Sequence, residues 1–196
     1  MKHMRYVLAA ALLLAGPAAL PARAADTPLD DIKEAILRLP YYGPFDAISV
    51  DYDKGTVTLS GYAYAVGLKH DAERAVKRIA GVDDVNDQIE ELPLSQFDDD
   101  LRWRAFYAIY TNAFLSRYAP GGGLLWGHRD GLRWRQVPGL EPIGNYPIHI
   151  IVKGGRIQLL GVVDSEADRT AANLAARGVS GSFGVDNLIT VHHSTT

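Results

Sequence analysis

The sequence predicts an α/β chain of the α+β kind, made of two tandem small α-β-β-α-β modules, each a three-stranded mixed sheet packed by two helices. Three observations carry this. The phrase GTVTLSG at 55–61 returns as GRIQLLG at 155–161. Laid over each other without a gap, 45–92 and 145–192 share nine identities in 48 positions: Ile48/Ile148, Gly55/Gly155, Leu59/Leu159, Gly61/Gly161, Ala72/Ala172, Ala75/Ala175, Gly81/Gly181, Val85/Val185 and Ile89/Ile189. These fall on turn glycines and inward-facing apolar positions, which define a structural repeat. Within each copy the hydrophobic period also switches from two to 3.6 and back.

The elements follow in order. Residues 1–24 open with Lys2 and Arg5, run apolar from Val7 to Ala15 and end in Ala22-Arg23-Ala24, the pattern of a cleaved secretory signal. The first module spans 28–92. Its opening helix starts at Pro28, with Asp30 and Asp31 in the first turn where the helix dipole favours acids. Ile48, Val50 and Tyr52 alternate with polar residues as a half-buried strand does. Asp53-Lys54-Gly55 makes a hairpin turn, and Val57, Leu59 and Gly61 mark the returning strand. A helix over 65–80 turns Leu68, Ala72, Ala75, Val76 and Ile79 inward and stops at Gly81. A last strand, 84–91, is anchored by Val85 and Ile89. The helix joins two strands that must run parallel, by the handedness rule for such crossovers. Gly61 and Gly161 are expected where the strand gives way to that crossover.

The second module spans 95–193. Ser95-Gln96-Phe97-Asp98 has the form of a capping box, opening a helix expected to run to about Arg117. Strands follow at 147–152 and 156–163, a helix at 165–178 and a strand at 185–191. The second copy carries a loop insert at 119–146, of a length that in a compact domain is usually functional or disordered.

The order V-x-L-x-G, then A-x-x-A, then G-x-x-x-V resembles the BON domain, a module of bacterial envelope and osmotic-stress proteins. Val57, Leu59, Gly61, Ala72, Ala75, Gly81, Val82 and Val85 carry the resemblance, with Ile157, Leu159, Gly161, Ala172, Ala175, Gly181 and Val185 in the second copy. Ser182 departs from it, standing where the pattern has an apolar residue. The resemblance implies a periplasmic protein that binds phospholipid surfaces or other envelope components. Modules of about 70 residues are small for a buried active site, so the expectation is an envelope-maintenance or stress-response protein without enzymatic activity or cofactor, an unrecognised enzyme being the third reading.

Composition narrows the chemistry. Without the signal the chain has 17 basic and 23 acidic residues, a net charge of −6 that argues against nucleic acid as a partner. With no cysteine there are no disulfides, thiolate metal sites, thiol nucleophiles or lipid-modified cysteines. Gly121-Gly122-Gly123 lacks the lysine and hydroxyl residue of a phosphate loop. His128, His149, His192 and His193 have no metal-ligand spacing. The acids Asp83-Asp84 and Asp98-Asp99-Asp100 read as solvated turns and helix starts, with a weak calcium site as the alternative. No catalytic arrangement and no transmembrane segment stand out.

One window is unlike the rest. Between Leu101 and Arg135 lie Arg102, Arg104, Arg117, Arg129, Arg133 and Arg135 with Asp130 as the one acid, a local charge of +5, together with all three tryptophans. On the opening helix Leu101, Ala105, Ala108, Ile109, Asn112 and Leu115 form an aliphatic face for the module's own sheet. Trp103, Tyr107, Tyr110, Phe114 and Tyr118 lie opposite, a face expected to pack on the first module, with a membrane or a partner protein as the other covers. In the insert, Leu124, Leu125, Trp126, Arg129, Arg133, Trp134 and Arg135 are the expected contact with an anionic phospholipid surface, because aromatics and arginines suit the headgroup region. A protein-interaction adaptor is the second reading.

Overall fold

The computed structural model describes residues 28–120 and 142–192. The expected signal at 1–24, Gly121-Gly122-Gly123, His128, His193 and the insert residues Leu124, Leu125, Trp126, Arg129, Arg133, Trp134 and Arg135 lie outside the described residues. In the first module α1 (Pro28–Leu37) precedes the hairpin β1 (Ala47–Asp53) and β2 (Thr56–Ala63), then α2 (Leu68–Val76) and β3 (Asp84–Glu91). The second module runs α3 (Gln96–Tyr110), a 3-10 turn (Ser116–Tyr118), β4 (Ile148–Lys153), β5 (Arg156–Val163), α4 (Glu166–Arg177), β6 (Gly184–Asn187) and β7 (Thr190–Val191).

The sheets repeat each other in register. β1 lies antiparallel to β2 with Val50 opposite Leu59, and β4 lies antiparallel to β5 with Ile150 opposite Leu159. Across the crossover β2 and β3 run parallel with Val57 opposite Val85, and β5 and β6 run parallel with Ile157 opposite Val185. The third strand of the second sheet is in two pieces rather than one run over 185–191. Its path is kept, since the Leu188 N–H still donates to the Leu159 carbonyl at 2.8 Å and β7 rejoins β5.

Gly61 and Gly161 do more than end a strand. Each sits inside its strand with a positive φ, +106° and +118°. A Cβ on either would fall 2.0 Å from a carbonyl oxygen at the start of the preceding strand or just ahead of it, that of Ala47 or of Pro147. Both copies need glycine there because the two backbones approach too closely for any side chain.

Each module has its own core. Ile32, Ile36, Leu59, Leu68, Ala72 and Val76 fill the first, and Leu101, Ala105, Ile109, Ile150, Leu159 and Ala172 fill the second. Asp98, within the supposedly solvated acid run, is buried and accepts the backbone N–H groups of Gly154 (2.9 Å) and Gly155 (2.8 Å), fastening the start of α3 to the β4–β5 turn. Helix ends differ from the sequence reading for local reasons. Gly67, left-handed at φ +82°, delays α2 to Leu68, while Lys77 closes it and Gly81 lies four residues further on in a turn. The α3 helix stops at Tyr110, not Arg117, as the Thr111 hydroxyl donates back to the Tyr107 carbonyl (2.6 Å) and the Asn112 side chain takes the Phe114 N–H (2.9 Å).

Candidate functional site

Most of the basic, aromatic window is absorbed into structure. Trp103 is buried with its ring 5.4 Å from Phe45 of the first module, and Phe106 lies 5.9 Å from the same ring. Tyr107 is half-buried and stacks on Trp103 at 5.9 Å. Tyr110 is buried inside the second module rather than between modules. Its hydroxyl donates to the Ile148 carbonyl at 2.5 Å, and burial pushes its pKa up. Phe114, expected to be covered, is 72% exposed, because α3 ends before it and the chain turns it outward. Leu101, Ala105, Ile109 and Leu115 are buried as the aliphatic face requires.

The arginines of the helix region are likewise engaged. Arg102 is 1% exposed; it pairs with Asp99, donates to the Val152 carbonyl at 2.6 Å and lies 4.7 Å over the Tyr64 ring. Arg104 donates to the Ser180 carbonyl at 3.0 Å and pairs with Asp100 at 3.6 Å. Arg117 pairs with Asp168 at 2.6 Å, and Asp168 also accepts from the Ser165 and Tyr118 hydroxyls.

The module junction is built on the segment between α1 and β1. The Pro44 carbonyl accepts from Ile150 N–H at 2.6 Å and the Tyr42 carbonyl from Gly144 N–H at 2.9 Å, so this segment lies along the outer edge of β4. Asp46 holds the segment in shape. Its carboxylate, 2% exposed, accepts N–H groups from Tyr64 (2.7 Å), Gly43 (3.0 Å) and Ala65 (3.1 Å), and burial pushes its pKa up to about 6. His149 meets Tyr42 edge-on at 5.8 Å, and burial lowers its pKa. An acid just before a strand reads as a solvated turn, so sequence alone had no signal for Asp46.

Beside the junction is a cleft of about 280 Å³, lined by Tyr41, Phe45, Tyr64, Val66, Leu94 and Ile143. Its walls are apolar, and Asp46, at its floor, already has both carboxylate oxygens occupied by N–H donors. Among the described residues, no group of three or more His, Asp or Glu could hold a metal ion, and no helix is long and apolar enough to cross a membrane.

Fold and junction together define a tandem of small α-β-β-α-β modules joined into one body. Residues 29–93 and 136–192 both match the BON domain, and the chain belongs to that family. BON domains are non-catalytic modules, often binding lipid or membrane surfaces, and are typically found outside the cytoplasm in association with the cell envelope. No curated protein sequence matches the chain. Among solved structures it is similar to CdsD, a structural protein of the type III secretion system of Chlamydia trachomatis, at 15% identity over 85% of this chain and 93% of that one, with a TM-score of 0.26. It is also similar to the C-terminal domain of CdsD at 14% identity, over 84% and 97% of the two chains, with a TM-score of 0.27.

Proposed function

We propose that this is a periplasmic envelope protein, exported by a cleaved signal at 1–24, that associates peripherally with an anionic phospholipid surface in envelope maintenance or osmotic-stress response. One observation carries the reading. Of the six arginines in 101–135, Arg102, Arg104 and Arg117 are tied to carboxylates and carbonyls of the fold. The other three, Arg129, Arg133 and Arg135, are set by the sequence beside Leu124, Leu125, Trp126 and Trp134.

Sedimentation with vesicles tests this. Replacing the three arginines by serine removes charges worth about 1 kcal/mol each near an anionic surface, so binding at low salt falls by roughly two orders of magnitude. Equal binding by a folded variant overturns the assignment of these residues. A protein-interaction adaptor is the second reading, favoured by the apolar rim of the junction cleft, where Val66 is 90% and Leu94 86% exposed. Capture of a partner that salt does not weaken, without vesicle binding, supports it.

A further inference from the structure

The shared register lets the two modules be compared position by position at the end that carries the hairpin turn. In the first module, residues 51–56 and 81–84 hold Asp51, Asp53, Asp83 and Asp84 against Lys54, a net charge of −3. The equivalent 151–156 and 181–184 hold Lys153 and Arg156 and no acid, a net charge of +2. Phe183 replaces Asp83, and it is 72% exposed. Its ring lies 5.8 Å from that of Phe97, at the start of α3 and 47% exposed. Two exposed phenylalanines in contact leave apolar surface that the described residues do not cover.

This end is rigid. Asp98 ties α3 to the β4–β5 turn through Gly154 and Gly155, and the Phe183 N–H donates to the Gly155 carbonyl at 2.8 Å. Gly155 makes room for the rings, since a Cβ there would come within 2.6 Å of Phe183 and 3.1 Å of Phe97. Beside the rings is a shallow, mainly polar depression lined by Arg156, Arg177, Ser182 and Phe183. Arg156 pairs with Asp186 at 2.9 Å, but at the surface, where such a pair exchanges readily for a phosphate. Arg177 is exposed and enters no ion pair among the described residues. Ser182, where the first module has Val82, adds a hydroxyl donor.

We propose that the turn end of the second module is a phospholipid contact: Phe97 and Phe183 enter the boundary between headgroups and acyl chains, while Arg156, Arg177 and Ser182 face a headgroup phosphate. Aromatic groups seated beside guanidinium donors match that boundary. The first module, with Asp51, Asp53, Asp83 and Asp84 at its turn end, is repelled from an anionic surface and faces away from it. The inference rests on the lipid reading above but uses none of residues 121–141.

The full chain is sedimented with vesicles of phosphatidylglycerol and phosphatidylethanolamine, and with phosphatidylcholine vesicles as the neutral comparison. The variant Arg156→Ser with Arg177→Ser loses about 30-fold in affinity for the anionic vesicles at low salt, two charges at about one anionic-surface contact each. The variant Phe97→Ser with Phe183→Ser loses at least about tenfold, with little dependence on salt. Phe183→Trp keeps binding, and its added emission is quenched by brominated acyl chains, a readout that does not depend on the serine variants folding. Wild-type binding by folded serine variants, or an unquenched tryptophan at 183, overturns the proposal. If the Arg129, Arg133 and Arg135 variant alone loses binding, the lipid reading stands and this contact is wrong. If the wild-type chain ignores anionic vesicles, both fall.

Discussion

The first module is covered by a helix of 10 residues, the second by one of 15, and the difference shows in the strands beneath. Ile48, Val50 and Tyr52 of β1 are half-buried, whereas the equivalent Ile148, Ile150 and Val152 of β4 are fully buried. The longer helix also brings Trp103 and Phe106 to the junction, where they receive Phe45. The residue equivalent to Phe45 is Asn145, which is exposed, so this aromatic contact runs in one direction only. The copies thus share their backbone constraints and differ in what they present. The second module supplies both the socket for its neighbour and the basic, aromatic end.

The hardest way to break this comparison is to charge one core and leave the other. Ile109→Asp, at a fully buried position, should abolish the cooperative unfolding of the second module, because an unpaired buried charge costs several kcal/mol. Hydrogen exchange should still show protected amides in β2 and β3, which rest on a separate core. Next in size, Phe45→Ala should cost about 3–5 kcal/mol of stability in urea titrations, while Asn145→Ala should be nearly neutral. Equal costs would show that the junction is symmetric after all.

Acid sharpens the picture at the junction, where two groups act in opposite senses. Asp46 is raised from 3.8 to about 6, so the folded chain holds this proton more tightly than the unfolded one, and stability from this group grows as pH falls from above 6 towards 4. The shift is worth up to roughly 3 kcal/mol. His149 is lowered from 6.5, so its contribution is complete above pH 6.5 and is lost as pH falls further. Melting temperatures measured between pH 7 and pH 5 should therefore rise in His149→Phe and fall in Asp46→Asn, relative to wild type. The same slope in both variants would remove the junction from the acid response. Smaller again, Gly61→Ala and Gly161→Ala should each cost about 2 kcal/mol, through strained φ and the carbonyl contact. A large cost at one glycine and none at the other would break the equivalence of the two hairpins.

The identities that announce the repeat, Gly55/Gly155 and Gly61/Gly161 among them, report shared backbone geometry, and that much of the fold was legible from the order of residues. The reason for Gly61 was not, since the Ala47 carbonyl that forbids a side chain comes close only once β1 and β2 pair. Asp46 and Asp98 resemble any acid near a turn, and their N–H donors come from 18 and 57 residues away. The charge of 101–135 overstated what is available for a surface, because local composition cannot show that Arg102 and Arg117 meet Val152 and Asp168 across the fold. The exposed end of the second module was legible in a different way. It lies in the differences between the copies, Asp53 to Lys153 and Asp83 to Phe183, rather than in their identities.

Exchanging those two positions between the copies separates the two ends. Affinity for phosphatidylglycerol-containing vesicles is measured for Lys153→Asp with Phe183→Asp, and for the reciprocal Asp53→Lys with Asp83→Phe, each checked for folding. The account predicts that the first exchange abolishes most of the binding and that the second raises it. Unchanged affinity in both would contradict the claim that the turn end of the second module meets an anionic surface.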